Sequence, residues 1–147
     1  MPRRSYVAES EIDATPAEVW AVLVDIDRYG EWNPFTPEVK TTLTVGEPID
    51  MKVHMSKLGF SVQQRETVRA VEPEARLVWG MQMLFGLIRA ERVQTLEALE
   101  DGRTRYRTED IIEGALEPFV RVLMGPSIQA GFDGVAAALE ERFRAGT

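Results

Sequence analysis

Apolar and polar positions change their rhythm several times along this chain, and each change predicts an element. Residues 4–13, RSYVAESEID, alternate loosely and predict a first strand. Thr15-Pro16-Ala17-Glu18 then predicts a helix start. Thr15 is placed to cap, Pro16 falls at the first helical position, and Glu18 at the third completes a capping box. Val19, Trp20, Leu23 and Ile26 recur at helical spacing, so the helix should end near Asp27. The stretch DIDRYGEWNPFTPEV (25–39) follows neither period. Trp32, Pro34, Phe35 and Pro37 predict a rigid, irregular connection there.

Beyond Pro37 the pattern becomes that of strands. VKTTLTV, IDMKVHM, FSVQQRETVRAV and RLVWGMQ are divided by Gly46-Glu47-Pro48, Leu58-Gly59 and Glu72-Pro73-Glu74. RAERVQTLEAL and RTRYRTEDII follow, joined at Asp101-Gly102. At the C-terminal end Leu116, Val120, Leu123, Met124, Ile128, Phe132, Val135, Leu139 and Phe143 mark a long amphipathic helix. Pro126 should kink it or break it briefly at Gly125-Pro126-Ser127. Strands joined by short turns pair as an antiparallel meander, so the fold class is α+β.

Parity along the strands separates an inner from an outer face. Arg103, Arg105, Arg107 and Glu109 must face water, which turns Tyr106, Thr108, Asp110 and Ile112 inward. A three-residue loop at Glu100-Asp101-Gly102, with Gly102 left-handed, pairs Leu99 with Arg103. That register sets Arg92 opposite Asp110, Gln94 opposite Thr108, and Leu96 opposite Tyr106. The same parity turns inward Ile88, Ala90 and Arg92; Phe60, Val62, Gln64, Glu66 and Val68; Ile49, Met51, Val53 and Met55; and Leu77, Trp79 and Met81. The inner face thus mixes Gln64, Glu66, Arg92, Gln94, Thr108 and Asp110 with Met, Trp and Tyr. Burying an unpaired charge costs several kcal/mol, roughly. These groups therefore either pair as a cross-strand ion network or line a mostly apolar cavity with a few orienting polar groups. In the second case Met51, Met55 and Met81 supply an adaptable apolar wall.

Composition narrows the chemistry. At 147 residues the chain is expected to form one domain, with 44% apolar and 28% charged residues. It has no cysteine, which excludes disulfides, thiolate metal sites and cysteine nucleophiles. A net charge of −7 argues against nucleic acid and anionic membranes as partners. MPRRSYVAES has no apolar run behind its arginines, and no stretch reads as a membrane helix, so a cytoplasmic protein is expected. The one histidine, His54, shares parity with Asp50, Lys52 and Ser56 and should face solvent. No Ser–His–Asp triad, multi-histidine metal site or phosphate-binding glycine loop is expected, and no cofactor. Asp25 and Asp27 read as turn formers. Acid–base candidates are Glu66, Asp110 and Tyr106, with Arg92 to stabilise an enolate or orient a carbonyl.

The chain also resembles a known superfamily. Ala14-Thr15-Pro16-Ala17-Glu18-Val19-Trp20, then Asp27 with Trp32-Asn33-Pro34-Phe35, then Leu77 and Trp79 after Pro73, carry the likeness. So do the late hairpin and the final helix. The superfamily, abbreviated SRPBCC, groups START-type lipid-transfer proteins, birch-pollen-allergen-like proteins and bacterial polyketide cyclases. The resemblance implies a helix-grip fold of six to seven curved antiparallel strands around the C-terminal helix, with a cavity between them. It implies a small hydrophobic ligand: a lipid, polyketide, quinone or aromatic metabolite. Its alternative is a cofactor-independent polyketide cyclase, aromatase or dehydratase, and a third reading is an adaptor for a protein partner. The chain would be a monomer or homodimer. Where such bacterial sequences often carry histidine, this one has Arg92, so histidine chemistry on that strand is not expected. Ligand-lining candidates are Trp32, Phe35, Met51, Met55, Gln64, Trp79, Met81, Phe85, Gln94, Thr108, Phe119, Leu123, Ile128 and Phe132. Trp32 and Phe35 either plug one end of the core or form the rim, facing Pro126 and the Met83-Leu84-Phe85-Gly86 loop.

Overall fold

The computed structural model describes residues 2–145. Its elements run β1 (Arg3–Ile12), α1 (Pro16–Val24), β2 (Glu38–Thr41), β3 (Pro48–Met55), β4 (Phe60–Glu72), β5 (Arg76–Met83), β6 (Ile88–Ala98), β7 (Thr104–Glu113) and α2 (Glu117–Ala145). One seven-stranded sheet has the order β1-β7-β6-β5-β4-β3-β2, with every neighbouring pair antiparallel. The α+β expectation therefore holds. The β6–β7 register is the one the loop implies: Arg92 pairs with Asp110, Gln94 with Thr108, and Leu96 with Tyr106. Gly102 has φ 85°, and the Leu99 amide donates to the Arg103 carbonyl at 2.9 Å.

The capping box at Thr15 forms: the Glu18 amide donates to Thr15 Oγ1 and the Thr15 amide to Glu18 Oε1. The helix ends at Val24, three residues before the expected Asp27, and a 3-10 turn covers Ile26–Glu31. Tyr29 accounts for the early end. Its hydroxyl donates to the Leu23 carbonyl at 2.5 Å, satisfying one of the carbonyls that a helix end leaves open. Burial raises the Tyr29 pKa far above the phenol range, so this donor keeps its proton. Strand β2 also stops early. The Leu43 amide donates to Thr41 Oγ1, and Leu43 takes φ 54°, which ends the expected VKTTLTV run at Thr41.

Helix α2 is continuous through Pro126, so the expected break is absent. Ser127 is wholly buried in it, and its Oγ accepts from the Lys57 amide at 3.0 Å, which ties the β3–β4 hairpin to the helix. The helix also corrects the expectation that no stretch has a membrane helix's length. Glu117–Arg144 meets that test by length and composition, with a mean hydropathy of 1.2. Ile128, Phe132, Val135 and Leu139 account for much of this apolarity, since all four are buried against the sheet. The outer arginines are ion-paired: Arg103 with Glu11 and Asp101, Arg105 with Glu97, Arg107 with Glu109. His54 is exposed, as parity requires.

Candidate functional site: a methionine-walled cavity with a polar end

The inner face of β3–β7 and the first half of α2 enclose a cavity of about 230 Å³. Its position follows from the DIDRYGEWNPFTPEV connection. Asn33 Oδ1 accepts from the amides of Phe35 and Thr36 at 3.0 and 2.9 Å, so one side chain fixes the turn. The turn directs Pro34 and Phe35 toward α2, where two glycines leave room. A Cβ at Gly131 would lie 2.0 Å from Phe35 Cδ1, and one at Gly134 would lie 3.1 Å from Pro34 Cγ. The Phe35 ring packs edge-on to Phe132 with centroids 5.2 Å apart, and both rings line the cavity.

The wall is soft and apolar. Met51, Met55, Met81, Met83 and Met124 all line it. These are all the methionines among the described residues. Val53, Val62, Ile88, Ala90, Ile112, Val120 and Ile128 complete the apolar lining with Phe35, Trp79 and Phe132. Thioether side chains are unbranched and polarizable, so such a wall adapts its shape to what it holds.

The polar groups of the lining are Gln64, Glu66, Arg92 and Asp110. Arg92 is buried, and its guanidinium carbon lies 4.6 Å from the Phe132 ring centroid, 5.5 Å from Trp79 and 5.9 Å from Phe35. Three ring faces thus offset part of the cost of burying the charge. Its Nε donates to Thr108 Oγ1 at 3.0 Å, and Nη2 reaches Gln94 Oε1 at 3.5 Å. The same Gln94 oxygen accepts from the Tyr106 hydroxyl at 2.5 Å. Arg92 is therefore held by neutral groups and makes no hydrogen bond to either carboxylate. Glu66 and Asp110 flank it from β4 and β7. Burial pushes Glu66 up to about 7, against the pull of Arg92. Burial and then the charge of Glu66 push Asp110 up to about 7, again opposed by Arg92. Asp110 Oδ1 is shielded from solvent with no hydrogen-bond partner.

Eleven of the expected site residues line this cavity: Phe35, Met51, Met55, Gln64, Trp79, Met81, Ile128 and Phe132 with the charged Glu66, Arg92 and Asp110 make up the lining that strand parity and the helix stripe pick out together. The others lie elsewhere. Gln94, Thr108 and Tyr106 sit behind Arg92, one or two inward positions farther along β6 and β7, where they brace its guanidinium. Trp32 packs edge-on to Tyr29 at 5.3 Å between centroids and does not line the cavity. Phe85, Phe119 and Leu123 point outward; Phe85 is fully exposed and Phe119 is 66% exposed. Met83, Val120 and Met124 are lining residues beyond the expected set. Inward parity or the helix stripe marks several others, such as Val53 and Ala90, but not their level along the sheet.

The family described as polyketide cyclase / dehydrase and lipid transport matches residues 3–140. No functionally curated protein matches the chain. Solved structures with the same fold include a protein from Mesorhizobium loti, 22% identical, covering 98% of this chain and 99% of the other at a TM-score of 0.73. A Thermus thermophilus protein is 18% identical, with 98% and 99% covered and a TM-score of 0.74. A START superfamily protein from Mycobacterium smegmatis is 18% identical, with 97% and 99% covered and a TM-score of 0.72. With the family match spanning nearly all of the sheet and α2, the chain belongs to the polyketide cyclase / dehydrase and lipid transport family.

Proposed function

We propose that this protein binds a small, largely apolar molecule in the cavity, with a single polar group of the ligand turned toward Arg92, Glu66 and Asp110. The observation that supports this reading most is the composition of the wall. Five methionines and three aromatic rings surround about 230 Å³, and the few polar groups converge beside one guanidinium. Apolar burial supplies affinity in such a site and the polar groups supply orientation. A second reading, cofactor-independent cyclisation or dehydration, is favoured by the two carboxyls near pKa 7. A carboxyl at that pKa gives and takes protons readily at neutral pH, and Arg92 would stabilise an enolate oxygen.

One ligand tests both readings. 2-Decanone carries an apolar chain and one carbonyl. On its addition, a variant retaining only Trp79 of the three tryptophans should change its emission saturably, and one retaining only Trp32 should stay flat. Trp79 is the reporter because it lines the cavity and Trp32 does not. No response from Trp79 would count against binding. For the second reading, the protein should speed deuterium exchange at the carbons beside the carbonyl, and D110N should stop it. Binding without exchange would leave a carrier only.

A further inference from the structure

Strand pairing lays one rung of residues across the sheet at the polar end of the cavity. Tyr6 of β1 pairs with Asp110 of β7, Asp110 with Arg92 of β6, and Arg92 with Trp79 of β5. Residues paired across antiparallel strands carry their Cβ atoms about 4.5–5.5 Å apart. Asp110 thus has Arg92 on one side and Tyr6 on the other. Tyr6 is 3% exposed. It is not among the lining residues, but Asp110 beside it is.

This rung is incompletely bonded. Tyr6 Oη and Asp110 Oδ1 are both shielded from solvent, and neither has a hydrogen-bond partner. Such atoms are rare in folded proteins, because each forfeits its water without a replacement. Arg92 does not meet the need, since it bonds Thr108 through Nε and reaches Gln94 through Nη2. The helix wall offers no side chain either. Gly125 of α2 stands against Tyr6, and a Cβ there would lie 3.1 Å from the hydroxyl oxygen. Its neighbour Met124 lines the cavity. The two unbonded oxygens therefore lie at the margin of the cavity, where β1 and β7 both pack on α2.

The two oxygens differ in what they ask for. Burial and then the charge of Glu117 raise the Tyr6 pKa, Arg4 and Arg121 oppose this, and Asp110 adds to the rise. Tyr6 keeps its proton and is a donor, whereas a carboxylate oxygen of Asp110 is an acceptor. A ligand carbonyl only accepts, so it would take the Tyr6 proton and leave Asp110 unpaired. A ligand carboxylate also only accepts, and it sets a second negative charge beside Asp110. A hydroxyl serves both, accepting from Tyr6 and donating to Asp110. We propose that the polar group of the ligand is a hydroxyl bound between Tyr6 Oη and Asp110 Oδ1, so that the cavity selects an apolar alcohol. This rests on the binding reading above. It makes Tyr6 a specificity-determining residue, on a strand that supplies none of the cavity lining.

2-Decanol and 2-decanone share one skeleton and differ only in the polar group. Calorimetric titration of each into the full chain at neutral pH, with decanoate as a third ligand, isolates that group. 2-Decanol should bind about tenfold more tightly than 2-decanone, or better, because a site that bonds a hydroxyl is left with unpaired groups by the ketone. In Y6F and in D110A the two affinities should come within about twofold of each other. The ratio is taken within each protein, so a general loss of affinity cancels. Y6F should also be at least as stable to urea as the wild type, since it removes an unbonded buried hydroxyl. The hydroxyl assignment is overturned if the wild type binds the ketone as well as the alcohol, or if Y6F keeps the alcohol preference. It is overturned too if decanoate binds tightest, which would make Arg92 the anchor, or if Y6F is the less stable protein, which would show the hydroxyl already bonded. 2-Decanone binding without an alcohol preference leaves the cavity reading standing. Failure of all three ligands to bind removes the cavity reading and this one with it.

Discussion

Gly131→Ala is expected to destabilise the protein by about 2 kcal/mol, although alanine is the better helix former. In an exposed helix the change would gain up to about 1 kcal/mol. Here the new methyl carbon would stand 2.0 Å from Cδ1, 2.5 Å from Cε1 and 2.6 Å from Cγ of Phe35. All three contacts are with one ring, and that ring is 7% exposed and wedged on Phe132. A flexible side-chain end would yield, but an aromatic ring fixed by the Asn33 turn has to carry the backbone with it. Overpacking of this kind costs about 1–3 kcal/mol, and this geometry belongs at the upper end. The check is urea unfolding of G131A, F35A and the double variant. In the F35A background the added methyl should be neutral or stabilising, because the ring it strikes is gone. Wild-type stability for G131A would show that Phe35 does not rest on α2.

Between about pH 4 and pH 7, stability should fall as pH rises, and E66Q/D110N should abolish that slope. Both carboxyls are pushed up to about 7 in the folded protein. In the unfolded chain they return to the ordinary carboxylate range near 4. Across the interval the native state binds more protons than the unfolded state, so the stability these groups contribute is complete below pH 4 and lost as pH passes 7. The Glu66 and Asp110 carboxylates then coexist beside one guanidinium in an apolar wall. Glu18, Asp50 and Asp101 act in the opposite sense. Hydrogen bonds from Thr15, Arg65 and Arg103 lower them, so their contribution fades only as pH falls below about 4. The two windows separate, and unfolding midpoints from pH 5 to 8 isolate the buried pair. The double variant should match the wild type near pH 5 and exceed it at pH 8. A wild type that gains stability over this range, or a double variant that keeps the slope, would contradict the placement of the carboxyls.

Much of this site is legible in the sequence because strands obey a period of two. Once Gly102 fixes the β6–β7 loop, parity alone brings Arg92 opposite Asp110 and turns Glu66 and Trp79 to the same face. Parity says nothing of depth. Whether an inward residue meets the cavity or the solid core depends on where α2 crosses, and that is a tertiary fact. Gln94, Thr108 and Tyr106 share the correct face but lie behind Arg92, so they hold it rather than line the space. On α2 the residues four apart at 120, 124 and 128 face the sheet, whereas Phe119 and Leu123 lie to one side. The helix continues through Pro126 without a break, so the stripe that includes 120, 124 and 128 stays on one helix. The exposure of Phe85 depends on three left-handed residues, and only Gly86 among them announces such a conformation in the sequence. Strand parity picks out Met51, Met55 and Met81 as wall residues but not Met83 and Met124. Methionines are sparse in the chain, and all five within the described residues meet in one place.

That convergence makes occupation of the cavity directly measurable. With methionine methyls labelled with carbon-13, the protein should give one resonance for each of Met51, Met55, Met81, Met83 and Met124, plus Met1. Titration with 2-decanone should move all five cavity signals together and saturably. If Met51, Met55 and Met81 stay still, or if only the partly exposed Met83 responds, the ligand is not inside the cavity and the account is wrong.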